Sequence, residues 1–95
     1  MKDFIEIDDT GICIVEFGAP WCGPCRLLMP VLESIEKDNP EVNIYKVNVD
    51  DNPELATRYS ISGIPTIIFF KDGVAQETIV GLISETKIQG YIDEL

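Results

Sequence analysis

The chain has no histidine, only three cysteines, and seven basic residues against 17 acidic ones in 95. Each shortage narrows what the molecule can be. Structural zinc takes four ligands from cysteine and histidine, and three cysteines, one of them mid-strand, fall short of that set. A small, odd cysteine count cannot frame a disulfide-stapled domain and leaves one thiol over. The formal charge of −10 repels nucleic acid and anionic membranes, favours solubility, and reads by default as a solvated acidic face. The opening residues, "MKDFIEIDDTG", carry acids every few positions and no long apolar run. They fit neither a signal peptide nor a membrane anchor. Without an export signal the expected compartment is the cytoplasm, where thiols are kept reduced and a close cysteine pair more often does chemistry than stapling.

What is present suffices for a packed globule: 45% of residues are apolar, and the length suits one domain, residues 1–95. "ICIVEF" (12–17) is a β-branched run typical of a strand buried on both faces. From Pro24, Leu27, Leu28, Val31, Leu32 and Ile35 recur at helical spacing, ending near Asn39, with Pro30 inside and a kink expected there. "VNIYKVNV" (42–49) is the next strand, completing a βαβ unit with a right-handed crossover. Asn52 and Pro53 open a short helix as cap and first residue. "GIPTIIFFKDGVAQETIV" reads as a hairpin turning at Asp72-Gly73. Ser84 caps a last helix, with Ile83 placed to staple against Ile88. These elements predict an α/β fold, a mixed four-stranded sheet with helices on both faces. "DFIEI" near the start fits a fifth, edge strand or a short helix.

The densest stretch is "GAPWCGPCRLLMP" (18–30). Cys22 falls just past a buried strand, at the mouth of the following helix, where free N–H groups and the helix dipole favour thiolate over thiol. Cys25 lies one turn deeper and is expected to stay protonated longer. One exposed nucleophile beside one buried partner is the arrangement thiol–disulfide exchange requires. Pro24 stiffens the first turn, and Gly23 lets the chain bend tightly enough for the sulfurs to meet. A purely structural Cys22–Cys25 clip closes a ring too short to restrict the unfolded chain much. The residues weigh against metal and clip without removing either.

"WCGPC" after "IVEF", "GIPT" before a hairpin strand and "KDG" at its turn strongly resemble the thioredoxin family, from about Ile12 to Leu95. The resemblance implies a three-layer thioredoxin-like fold and reduction of disulfides in partner proteins. Cys22 would be the nucleophile and Cys25 the resolving thiol. It implies re-reduction by a flavoprotein thioredoxin reductase drawing on NADPH or ferredoxin, no bound cofactor or metal, and a small carrier whose simplest state is a monomer.

Glu16, an acid on a doubly buried strand, is expected to have a raised pKa. The resemblance implies that it helps take the proton from Cys25, although the family usually has the shorter aspartate there. Lys46 can pair with Glu16 and oppose that rise if their strands are adjacent and in register; otherwise it is an ordinary solvated charge. By resemblance Pro65 is cis and packs against the cysteines, leaving the Ile64 backbone to pair with an extended substrate segment. Trp21, Gly23, Pro24, Gly63, Ile64, Val80 and Gly81 would then form an apolar docking patch; read plainly, they are turn glycines and core aliphatics. Gly18 stands where many members have tryptophan, which removes a large wall beside the cysteines. Cys13 points away from Glu16 and reads as a small buried hydrophobe.

Two other readings stand beside disulfide reduction. Oxidants and isomerases on this fold often place histidine between the cysteines, so Gly23-Pro24 argues for the reducing side. A non-catalytic binding module would make the cysteines incidental. Glutaredoxins usually carry tyrosine in the motif, which this chain lacks.

Overall fold

The computed structural model describes residues 1–3 and 10–95. Its elements are β1 (Lys2–Asp3), β2 (Ile12–Gly18), α1 (Gly23–Asp38), β3 (Asn43–Asn48), α2 (Pro53–Arg58), β4 (Thr66–Lys71), β5 (Val74–Val80) and α3 (Glu85–Glu94). The sheet has five strands in the order β1-β3-β2-β4-β5. β1, β3 and β2 run parallel, and the β4–β5 hairpin joins antiparallel to β2. The fifth strand is thus the edge strand Lys2–Asp3. Asp3 of the "DFIEI" reading belongs to it, and Phe4 to Ile7 lie outside the described residues.

β2 is central because its sequence tolerates no exposed face. Every residue from Cys13 to Gly18 is buried between β3 and β4. Side-chain alternation then sends Ile14 against Leu28, Leu32 and Ile35 of α1 and Ile88 and Ile92 of α3. Cys13, Val15 and Phe17 go to the other face, where Leu55 of α2 and Tyr59 pack on them. Three layers result, with β2 ending directly beneath the mouth of α1.

Local chemistry explains most boundaries. Asp72 and Gly73 both hold positive φ, 51° and 81°, the pair of left-handed residues that a two-residue hairpin needs. Gly11 N–H donates to Asp72 Oδ1 at 2.7 Å, tying this turn to the start of β2. The hairpin carries a register shift between Phe69 and Phe70 that the alternating sequence does not reveal. Ser84 caps α3, its side chain accepting the Lys87 N–H at 3.2 Å. Pro53 begins α2 as expected, but Asn52 does not cap it with its side chain. Asn52 Nδ2 instead donates back to the Asn48 carbonyl at 2.9 Å. α1 runs on through Pro30 to Asp38. Among the described residues, no helix is long and apolar enough to cross a membrane.

Candidate active site

Gly18 ends β2, and four residues later Cys22 caps α1 in an extended conformation, with Gly23 and Pro24 as the first helical residues. The cap is made by sulfur: Cys22 Sγ accepts the Cys25 N–H at 3.3 Å. The first turn of α1 has no acidic residue to offset the positive helix end. Cys22 and Cys25 are joined as a disulfide, with Cα atoms 5.3 Å apart.

One expectation changes here. Cys22 is not an exposed sulfur beside a buried one, because the two cysteines are 6% and 3% exposed. Both sit in a small cluster with Ala19, against which Val49 and Ile64 pack. The difference between them lies in their partners instead. Cys22 holds the helix cap, whereas Cys25 lies inside the helix with its sulfur toward Glu16 and Gly18.

Glu16 is buried on the middle strand, in register with Lys46 on β3 and Ile67 on β4. Burial pushes its carboxyl up to about 7, with Lys46 pulling the other way. Oε2 of this carboxyl has no hydrogen-bond partner among the described residues. Gly18 lies against it: a Cβ built there would stand 2.5 Å from Glu16 Oε2 and 3.1 Å from Cys25 Sγ. A cavity of about 360 Å³ opens beside them, its walls including Asp3, Glu16, Gly18, Cys25, Arg26 and Lys46. Asp3, Arg26 and Lys46 are exposed, so the cavity reaches solvent.

The other sequence-selected residues form two groups. Pro65 is buried and follows a cis Ile64–Pro65 peptide, and Ile64 packs on the disulfide cluster. The β4–β5 ladder begins at Thr66–Val80, leaving Ile64 ahead of the paired strand. Gly63 abuts Val80, with 3.2 Å between a built Cβ and Val80 Cγ1. Gly81, at φ 100°, donates its N–H to the Pro65 carbonyl at 2.8 Å. Val80 is 63% exposed. Gly23 and Pro24, between the two cysteines in sequence, are exposed on α1. Trp21, 67% exposed, is fastened elsewhere: its Nε1 donates to Asp50 Oδ2 at 2.6 Å. Sequence reasoning missed Asp50. Its signal was available, since a carboxylate just after β3 must emerge beside the residues just after β2.

A cap by cysteine sulfur, a second cysteine within bonding reach and a buried acid of raised pKa fit a pair that exchanges thiol for disulfide. Among the described residues, no three histidine, cysteine or acidic side chains are grouped so as to hold a metal ion. Comparison with known proteins points the same way. The family model for thioredoxin matches residues 3–94. A thioredoxin of Chlamydia caviae is 52% identical over 93 residues, which covers 98% of this chain and 91% of that protein. An M-type chloroplastic thioredoxin of Spinacia oleracea is 37% identical over 94 residues, covering 98% of this chain and 51% of that protein, about half its length. The solved structure of Fasciola hepatica thioredoxin matches with a TM-score of 0.84 and 40% identity, covering 92% of this chain and 83% of that one.

Proposed function

Because the chain belongs to the thioredoxin family, we propose that Cys22 is its attacking thiol and Cys25 its resolving one. The reaction is thiol–disulfide exchange: the chain is a protein-disulfide reductase that works through a redox-active cysteine pair and needs no bound cofactor. The observation that carries the assignment of roles is the cap, where Cys22 sulfur already accepts a backbone N–H at the positive end of α1. Those features stabilise a thiolate at Cys22.

In the first step Cys22 thiolate attacks one sulfur of a substrate disulfide. A Cys22–substrate bond forms, the substrate S–S bond breaks, and the departing sulfur takes a proton from solvent. Cys25 then gives its proton to Glu16 and attacks Cys22 Sγ. The Cys22–Cys25 bond forms as the mixed disulfide breaks, so two electrons pass to the substrate. Lys46 moderates how strongly Glu16 holds the proton. The substrate segment docks along Ile64, beside Gly63, Pro65, Val80 and Gly81, with Trp21, Gly23 and Pro24 on the far side of the sulfurs.

Its partners are disulfide-containing proteins and a flavoprotein thioredoxin reductase fed by NADPH or ferredoxin. We place this chemistry in the cytoplasm, in a monomer whose residues 1–95 form one domain. Insulin reduction with dithiothreitol as electron source tests the reading. Wild type should accelerate insulin precipitation and Cys22→Ser should not; equal inactivity of both would overturn it.

A further inference from the structure

We propose that Gly18 is a positioning residue for the resolving step: its missing side chain leaves the space in which the Glu16 carboxylate reaches Cys25. The inference rests on the role proposed above for Glu16, and three observations carry it further. A Cβ on residue 18 would stand 2.5 Å from Glu16 Oε2 and 3.0 Å from Oε1, closer than unbonded atoms settle, and 3.1 Å from Cys25 Sγ. One methyl group at that point would push the carboxylate and crowd the sulfur at the same time. The carboxylate is the free end of a flexible side chain, so it would swing while the backbone stayed. The consequence falls on chemistry more than on the fold.

Second, no hydrogen bond holds Glu16 Oε2 where it is among the described residues. With no hydrogen bond at Oε2, packing helps set its position, and Gly18 is the packing partner on the Cys25 side. Third, the cavity beside Gly18 gives the proton a way out. Cys25 passes its proton to Glu16, and Glu16 passes it to solvent past the exposed walls. Among the described residues, the charged and titratable groups that line the cavity with Glu16 are Lys46 from β3, Cys25 and Arg26 from α1, Asp3 from β1 and Asp51 from the turn after β3. β4 presents Ile67 in register and adds no charge.

The test is a double-mutant cycle read on the resolving step alone. Cys22 is converted to its mixed disulfide with thionitrobenzoate, and Cys25 releases the coloured thiol, followed by stopped flow across a pH series. With Glu16 present, Gly18→Ala should slow release about tenfold, a fraction of what a positioned acid–base group supplies. In the Glu16→Asp background the carboxylate is one methylene shorter, so Gly18→Ala should cost less than about twofold. Equal losses in both backgrounds would overturn the proposal. Thermal melts of all four proteins check folding. If Gly18→Ala melts out, Glu16→Asp alone decides, since withdrawing the carboxylate from Cys25 should slow release and an unchanged rate would refute it. Glu16→Gln separates the two failures: if it leaves the rate and its pH profile untouched, the acid–base role falls, and Gly18 with it.

Discussion

Glu16 and Lys46 stand directly opposite on adjacent parallel strands, yet the carboxyl is pushed up to about 7 rather than down. Desolvation outweighs the attraction of Lys46 because Glu16 is buried and Lys46 is exposed, so much of the lysine's charge is spent on water. An acid that half-ionises near neutrality is suited to exchanging a proton with a thiol.

This raised value has a sign in stability. Between the ordinary 4.5 and the folded value of about 7, the folded chain holds a proton that the unfolded chain has released. The Glu16 contribution is therefore fully present below 4.5 and lost as pH rises through 7, by at most about 3 kcal/mol. Urea melts of wild type and Glu16→Gln across that window should show wild type losing stability relative to the variant as pH rises. A constant difference would mean that Glu16 titrates normally.

The same proton sets the rate. Glu16 accepts a proton only when ionised, so release of substrate by Cys25 should rise as pH rises through about 7. Lys46→Met removes the group that lowers this value. Its rate profile should shift to higher pH, which stopped-flow release measures directly. A shift to lower pH would show that Lys46 acts on some other group.

Much of this was legible in the sequence because it is local. The strand "ICIVEF", the Asp72-Gly73 turn, the Ser84 cap and the cysteine spacing each depend on residues a few positions apart. Glu16 was legible as a buried acid, since a β-branched run offers an acid no exposed face. What was hidden depends on contacts between strand ends. The missing tryptophan at Gly18 was visible, but not that the vacancy is occupied by the Glu16 carboxylate. The Trp21–Asp50 bond joins residues 29 positions apart. Burial of Cys22 follows from Val49 and Ile64 closing over it from two other segments.

Docking can be separated from chemistry at Val80. Its side chain is exposed beside Gly63 and is not among the walls of the cavity beside Glu16, so Val80→Asp should harm substrate approach first. An extended segment would then meet a buried-on-binding charge, costing on the order of 1–3 kcal/mol, about tenfold or more in kcat/KM. Reduction of a small disulfide that does not span the patch should fall far less. Equal losses for insulin and the small disulfide would remove Val80 from the docking surface.

Trp21 is the chain's single tryptophan, so its fluorescence reports one site. Its indole is two-thirds exposed and held by one hydrogen bond to the Asp50 carboxylate. A charge-assisted bond of this kind contributes about 1 kcal/mol or somewhat more when partly solvated. Asp50→Ala should release the ring, lowering its fluorescence anisotropy and increasing its quenching by iodide. A ring free to turn must be immobilised when substrate docks, so KM for insulin should rise two- to fivefold. kcat should hardly change, because neither Cys22 nor Cys25 touches Asp50 in the site described. Unaltered quenching would show that the neighbouring backbone, and not Asp50, fixes the indole. A fall in kcat at constant KM would instead place Asp50 in the exchange chemistry.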